Sequence, residues 1–151
     1  MSTLEIFTDG ACRGNPGPAG IGVVIFDENG QVVKNISQAI GQATNNLAEY
    51  TALIYALQGA LVLKAGRVRI HTDSELLYRQ LKGEYKIKNE KLKTLFDQVQ
   101  HLKQRFAGFE MRLIPREENQ EADRLATKAV AKIDTKPLTR NSPSPWGGVI
   151  D

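Results

Sequence analysis

Cysteine is almost absent from this sequence. Cys12 is the single example in 151 residues, so no internal disulfide can form and a reducing, cytoplasmic setting is expected. Histidine is scarce too: His71 and His101 are the only two, which leaves no paired His/Cys set of the kind that binds zinc. Long apolar runs are also missing. The longest uncharged stretch rich in apolar residues, Tyr50 to Leu63, is interrupted by Thr51, Gln58 and Gly59 and falls short of the roughly 20 residues a spanning helix needs, so no membrane partner is expected. The opening MSTLEIFTDG carries neither a basic region nor an apolar core of the export type.

What is present is ordinary globular material. With 41% apolar and 25% charged residues, a chain of this length can bury about 70% of its unfolded surface, which suits one domain and excludes disorder as the main state. The net charge is only +3, but it is unevenly spread. Between Arg79 and Lys93, six basic residues (Arg79, Lys82, Lys86, Lys88, Lys91, Lys93) face Glu84 and Glu90, and the rest of the chain is slightly acidic. Such a stretch suits a polyanionic partner, and equally a solvated helix face.

Hydrophobic periodicity orders the chain as βββαβααβα. Thr3 to Thr8 alternates, Ile21 to Phe26 is a β-branched run, and Val32 to Ala39 follows Asn29-Gly30, a hairpin signal, so the first three strands form an antiparallel meander. Between Gly10 and Gly20 lie four glycines and two prolines, read as a shaped loop with exposed backbone. Thr44 or Asn45 caps a helix to about Lys64, Arg67 to Thr72 is a strand, and helices follow at Ser74 to Leu81 and Asn89 to Phe106. A strand from Phe109 to Ile114 and a helix from Asn119 to Ile133 complete the domain, residues 1–134. Right-handed strand–helix–strand crossovers in the second half predict a mixed five-stranded α/β sheet with helices on its faces. From Thr135 to Asp151 three prolines and no periodicity predict an irregular tail, which Trp146 would dock to the body.

Four acids fall in unusual places. Asp9 and Asp73 each follow a threonine at a strand's carboxyl end, where open α/β sheets bind ligands, although either alone also reads as a turn or helix cap. Glu49 shares a helical stripe with Leu53, Ala56, Leu57 and Ala60, and Asp123 shares one with Ala126 and Val130, so both acids lie on core-facing sides near helix starts. A charge there is costly unless paired or bound to a cation, although a helix dipole would account for one of them. Converging above the sheet, the four would repel one another and raise their pKa values unless neutralised. An oxygen-only set suits Mg²⁺ or Mn²⁺, and two such ions about 4 Å apart are a common device for in-line attack on a phosphodiester.

The segments TDGACRGNPG (Thr8 to Gly17), TNNLAEY (Thr44 to Tyr50), TDS (Thr72 to Ser74) and REENQEAD (Arg116 to Asp123) together resemble type 1 ribonuclease H, in order and spacing, over residues 3–134. The resemblance implies the ribonuclease H-like fold with sheet order 3-2-1-4-5. It implies that Asp9, Glu49, Asp73 and Asp123 bind two Mg²⁺ ions, for which Mn²⁺ can substitute, and hydrolyse the RNA strand of RNA/DNA hybrids to 5′-phosphate and 3′-hydroxyl ends. No small-molecule cofactor is expected, and the expected state is a monomer. Substrate contacts carried over are Gly10, Ala11, Cys12, Arg13, Gly14 and Asn15 against the wide minor groove, where 2′-hydroxyls are displayed, with Thr44, Asn45 and Asn46 beside them. Asn45 and Asn46 also read as helix caps, and Cys12 as small structural filler. Lys86 and Lys88 are assigned to the hybrid's backbone.

Two departures from the family pattern stand out. Some members carry a histidine in the loop before the last helix, but Pro115 to Glu121 has none, leaving Arg116, Glu117 or Glu118 for its role. Some insert a basic helix as a handle, for which the stretch from Leu81 to Asn89 is too short, so the sequence looks like the handle-less branch. A non-catalytic nucleic-acid-binding module would have lost acids, and a DNA-cutting recombinase of the same fold has no need of the 2′-hydroxyl loop.

Overall fold

The computed structural model describes residues 2–135. Strands β1 (Thr3–Cys12), β2 (Gly17–Phe26) and β3 (Val32–Ala43) form the expected meander. They are followed by α1 (Asn45–Val62), β4 (Arg67–Thr72), α2 (Glu75–Leu81), α3 (Glu90–Lys103), β5 (Gly108–Leu113), a 3₁₀ turn (Arg116–Glu118) and α4 (Gln120–Thr135). The sheet order is β3-β2-β1-β4-β5, with β1–β2 and β2–β3 antiparallel and β1–β4 and β4–β5 parallel. Helix α1 packs on one face, with α3 behind it, and α4 covers β1, β2 and β3. No helix among the described residues is long and apolar enough to cross a membrane.

The core lies between α1 and the sheet. Ile6, Ile21, Val23, Ile25 and Ile70 meet Leu53, Leu57, Ala56 and Ala60, all fully buried. On the other face small residues set the spacing. A Cβ at Gly22 would lie 2.0 Å from the carbonyl oxygen of Ala122, so only glycine lets the start of α4 descend onto β2, the strand beside Asp9.

The glycine-rich segment differs from its expectation. Pairing of β1 with β2 continues to Cys12↔Ala19, and only Arg13 to Pro16 turn between the strands, closed by Arg13 N–H donating to the Pro18 carbonyl at 2.8 Å. Gly10, Gly20 and Gly22 are therefore strand residues whose missing side chains admit helices on both faces. The Asn29-Gly30 turn forms as expected, with Gly30 at φ +79° and Asp27 Oδ1 accepting from the N–H groups of Asn29 and Gln31. Thr135, assigned to the tail, ends α4; the rest of the tail, with Trp146, lies outside the described residues.

Candidate active site

The site forms where two parallel strands part. β1 and β4 pair as far as Phe7↔His71, after which β1 continues along β2 and β4 stops at Thr72. Asp9 on β1 and Asp73 just past β4 thus flank a crevice at the topological switch point. Glu49, in the second turn of α1, reaches this crevice from one side of the sheet, and Asp123, in the first turn of α4, from the other. Carboxylate oxygens of Asp9, Glu49 and Asp73 lie within 4.8 Å of one another, and Asp123 lines the same cleft and acts directly on Asp9. All four predicted acids share one open cleft of about 710 Å³.

Their environment disfavours charge. Asp9 is 5% exposed, and its carboxyl is pushed up to about 8 by burial first, then by the charge of Asp73 and by contact with Asp123. Burial also drives Glu49 well above the usual carboxylate range, with Asp9 and Asp73 adding to it; the Gly10 N–H, donating to Glu49 Oε1 at 2.8 Å, works in the opposite direction. Acidic side chains gathered so tightly, and offering oxygen alone, fit a hard divalent cation of the Mg²⁺ class.

Of the predicted substrate residues, Gly10, Ala11, Cys12, Arg13 and Asn45 line the cleft, whereas Gly14, Asn15, Thr44, Asn46, Lys86 and Lys88 do not. Several of these have local tasks. Thr44 Oγ1 caps α1 by accepting from Leu47 N–H at 3.2 Å. Asn15 Oδ1 accepts from Asn45 N–H at 3.0 Å, tying the β1–β2 turn to the helix start. The Cys12 thiol donates to the Ala43 carbonyl at 3.0 Å while bordering the cleft. Exposed Lys86 and Lys88 lie in the connection between α2 and α3. Buried Gln80 anchors that connection: it donates to the Lys86 carbonyl at 3.2 Å and accepts from the Tyr50 hydroxyl at 2.6 Å.

Sequence reasoning missed Thr127, Val130 and Ala131 as cleft residues. Helical spacing from Asp123 carries the signal for Thr127, four residues on. It also missed Asn119, whose amide donates to Asp73 Oδ2 at 3.0 Å and to the Thr8 carbonyl at 2.8 Å. Neither histidine lines the cleft: His71 stacks on Phe7 with ring centroids 4.3 Å apart and meets Glu5 at 2.6 Å, and His101 is exposed on α3.

A family profile described as reverse transcriptase-like matches residues 7–129. The crystal structure of RNase H1 from Halobacterium salinarum superposes with a TM-score of 0.84 at 35% identity, covering 86% of this chain and 98% of that one. The chain belongs to the type 1 ribonuclease H family. Another member of the family, the N-terminal RNase H domain of Rv2228c from Mycobacterium tuberculosis, solved as a fusion with maltose-binding protein, superposes at 0.82 with 41% identity, covering 85% of this chain and 98% of that one. LC11-RNase H1, solved in complex with an RNA/DNA hybrid, superposes at 0.80 with 44% identity, covering 85% of this chain and 97% of that one. Against the full bifunctional protein Rv2228c the chain is 42% identical over 128 residues, 84% of its own length but only 35% of that protein's, so it spans about a third of this curated relative.

Proposed function

We propose that this chain is an endonuclease that hydrolyses the RNA strand of RNA/DNA hybrids with the aid of two Mg²⁺ ions held by Asp9, Glu49, Asp73 and Asp123. The observation that carries the reading is the convergence of these acids at the β1–β4 switch point, where burial and the neighbouring carboxylates push Asp9 and Glu49 above the usual carboxylate range. When bound, such ions lower the pKa of the attacking water and stabilise charge on the attacking and leaving oxygens.

The chain's own residues do the rest. Gly10 and Ala11 present backbone without bulk to the minor groove, and Asn45 offers an amide to the 2′-hydroxyls or base edges beside it. Arg13 and Arg116, exposed on the cleft lining, face phosphates. Lys86 and Lys88 contact the backbone of the DNA strand outside the cleft. In the reaction, a water oxygen bonds to phosphorus, the bond to O3′ breaks, and O3′ leaves as a hydroxyl, giving a 5′-phosphate. With no histidine in the loop from Pro115 to Glu121, proton relay is assigned to Glu117 and Glu118, exposed on the 3₁₀ turn. Changing both to Gln is expected to slow turnover by about 10² at most. The short α2–α3 connection supports reading the chain as a member of the handle-less branch of the family.

The test is a cleavage assay with three end-labelled duplexes: RNA/DNA, all-DNA and all-RNA. Mg²⁺-dependent cutting confined to the RNA strand of the hybrid, lost on chelation, is expected. Equal cutting of the all-DNA duplex, or cutting that survives chelation, overturns the reading.

A further inference from the structure

We infer that Asn119 is a positioning residue that holds the Asp73 carboxylate ready for its divalent ion, an inference that rests on the ion-binding reading above. Asn119 is 1% exposed and stands at the junction of the 3₁₀ turn and α4. Its carbonyl accepts the first helical hydrogen bond, from Asp123 N–H at 3.1 Å, so it occupies the place from which an asparagine side chain ordinarily caps a helix by accepting from the next free N–H groups. It does not do so. Asn119 Oδ1 has no partner, while Nδ2 donates both its hydrogens away from the helix, to the Thr8 carbonyl at 2.8 Å and to Asp73 Oδ2 at 3.0 Å.

The orientation follows from the chemistry of the two partners. Both are acceptors, so turning the amide over would set Oδ1 against a carbonyl and a carboxylate. Thr8 immediately precedes Asp9, and β1–β4 pairing has ended one residue earlier, at Phe7↔His71. Asn119 supplies a donor where that pairing has stopped. One buried side chain therefore ties together the middle of β1, the residue after β4 and the start of α4, the three segments that carry Asp9, Asp73 and Asp123.

Thr8 Oγ1 and Asn119 Oδ1 are also the buried side-chain polar atoms left without a partner among the described residues, so this junction forgoes ordinary hydrogen-bond satisfaction and a helix cap. A carboxylate has about four acceptor positions, so the bond from Asn119 fixes the Asp73 side chain without exhausting it as a ligand. Partners of this kind, one shell out from an ion, orient its ligands.

The experiment is calorimetric titration of hybrid-free protein with Mg²⁺, comparing the unaltered chain, Asn119→Ala, Asp73→Asn and the double variant, together with the kinetics of hybrid cleavage. Asn119→Ala is expected to weaken ion affinity by about 10- to 100-fold and to raise the half-saturating Mg²⁺ concentration for cleavage in parallel. The KM for hybrid at saturating ion is expected to stay unchanged, because so buried a side chain cannot touch nucleic acid. In the Asp73→Asn background the further weakening should vanish. Unchanged ion affinity in folded Asn119→Ala overturns this inference alone; failure of the unaltered chain to bind Mg²⁺ overturns the ion-binding reading and this inference with it. Should the variant not fold, the Asn119 side-chain amide resonances of the unaltered protein decide the matter: they are expected to shift on Mg²⁺ titration, and resonances that stay put at saturation overturn the inference.

Discussion

The backbone N–H of Gly10 donates to Glu49 Oε1 at 2.8 Å, so the central strand itself holds the acid that α1 contributes to the cleft. The approach that makes this bond leaves no room for a side chain. A Cβ at Gly10 would lie 2.7 Å from Ala48 Cβ and 2.8 Å from Glu49 N. Gly10→Ala is expected to push α1 off β1, costing about 1–3 kcal/mol of stability as overpacking does. It should also lower turnover beyond that destabilisation, because Glu49 moves with the helix. Thermal unfolding and cleavage rate, both measured well below the melting temperature, check this; turnover like that of the unaltered chain would sink it.

Asp9→Asn is expected to separate stability from activity. The substitution keeps volume but removes a buried charge that Asp73 and Asp123 oppose, so in ion-free buffer above pH 8 the variant should melt at a higher temperature than the unaltered chain. Its turnover should fall by more than the ~10–100-fold that removing an outer-shell partner costs. Hybrid binding, measured by gel shift or anisotropy, should persist. A variant that is both less stable without ions and active with them would show that Asp9 is not a repelled ion ligand.

The pH dependence of ion-free stability follows from the direction of the shifts. Asp9 and Glu49 titrate higher folded than unfolded, so the folded state binds more protons above the ordinary carboxylate range, for Asp9 up to about pH 8. The Asp9 contribution is fully present below about pH 4 and is lost as pH rises through about 8, and Glu49, also raised, acts in the same direction. Mg²⁺ competes with those protons, so the rise in melting temperature that it produces should be small near pH 5 and larger near pH 8.5, with protons released on binding. Melting curves in chelator and in Mg²⁺ across this range test it; an ion effect independent of pH would contradict it.

Replacing Lys86 and Lys88 with alanine should flatten the slope of log affinity for hybrid against log salt by roughly 0.7 to 0.9 for each phosphate deprived of its lysine. KM should rise while kcat stays nearly constant, because both side chains are exposed and outside the cleft. Unchanged slope and KM would make this segment a solvated surface. Gln80→Ala, which cuts the link from Tyr50 to the Lys86 carbonyl, should raise KM in the same direction with both lysines still present.

The element order and the four acids were legible because each rests on local pattern. Strand runs, Asn29-Gly30, the cap at Thr44, helix starts at Ser74 and Asn89, and acids on apolar stripes all lie within a few residues of their signals. The extent of β1 and β2 was not legible, since glycines that read as loop are strand residues whose small size serves helices arriving from elsewhere in the chain. Asn119 was hidden for a related reason. In sequence it is a helix-start asparagine, and nothing local says that its amide turns away from the helix toward residues 46 and 111 positions earlier.

By itself, then, the sequence determined which segments are strands and helices, how they alternate, and which carboxylates fall on core-facing stripes or after strands, because periodicity and capping act through neighbours on one element. Tertiary structure alone decided that β1 and β4 part after Phe7↔His71, that the Gly10 N–H donates to Glu49, and that Asn119 bridges Thr8 and Asp73. Those are contacts between residues far apart along the chain. They exist only once pairing of the strands and seating of α1 and α4 on the two faces of the sheet have brought the middle of β1, the end of β4 and the starts of both helices to one point.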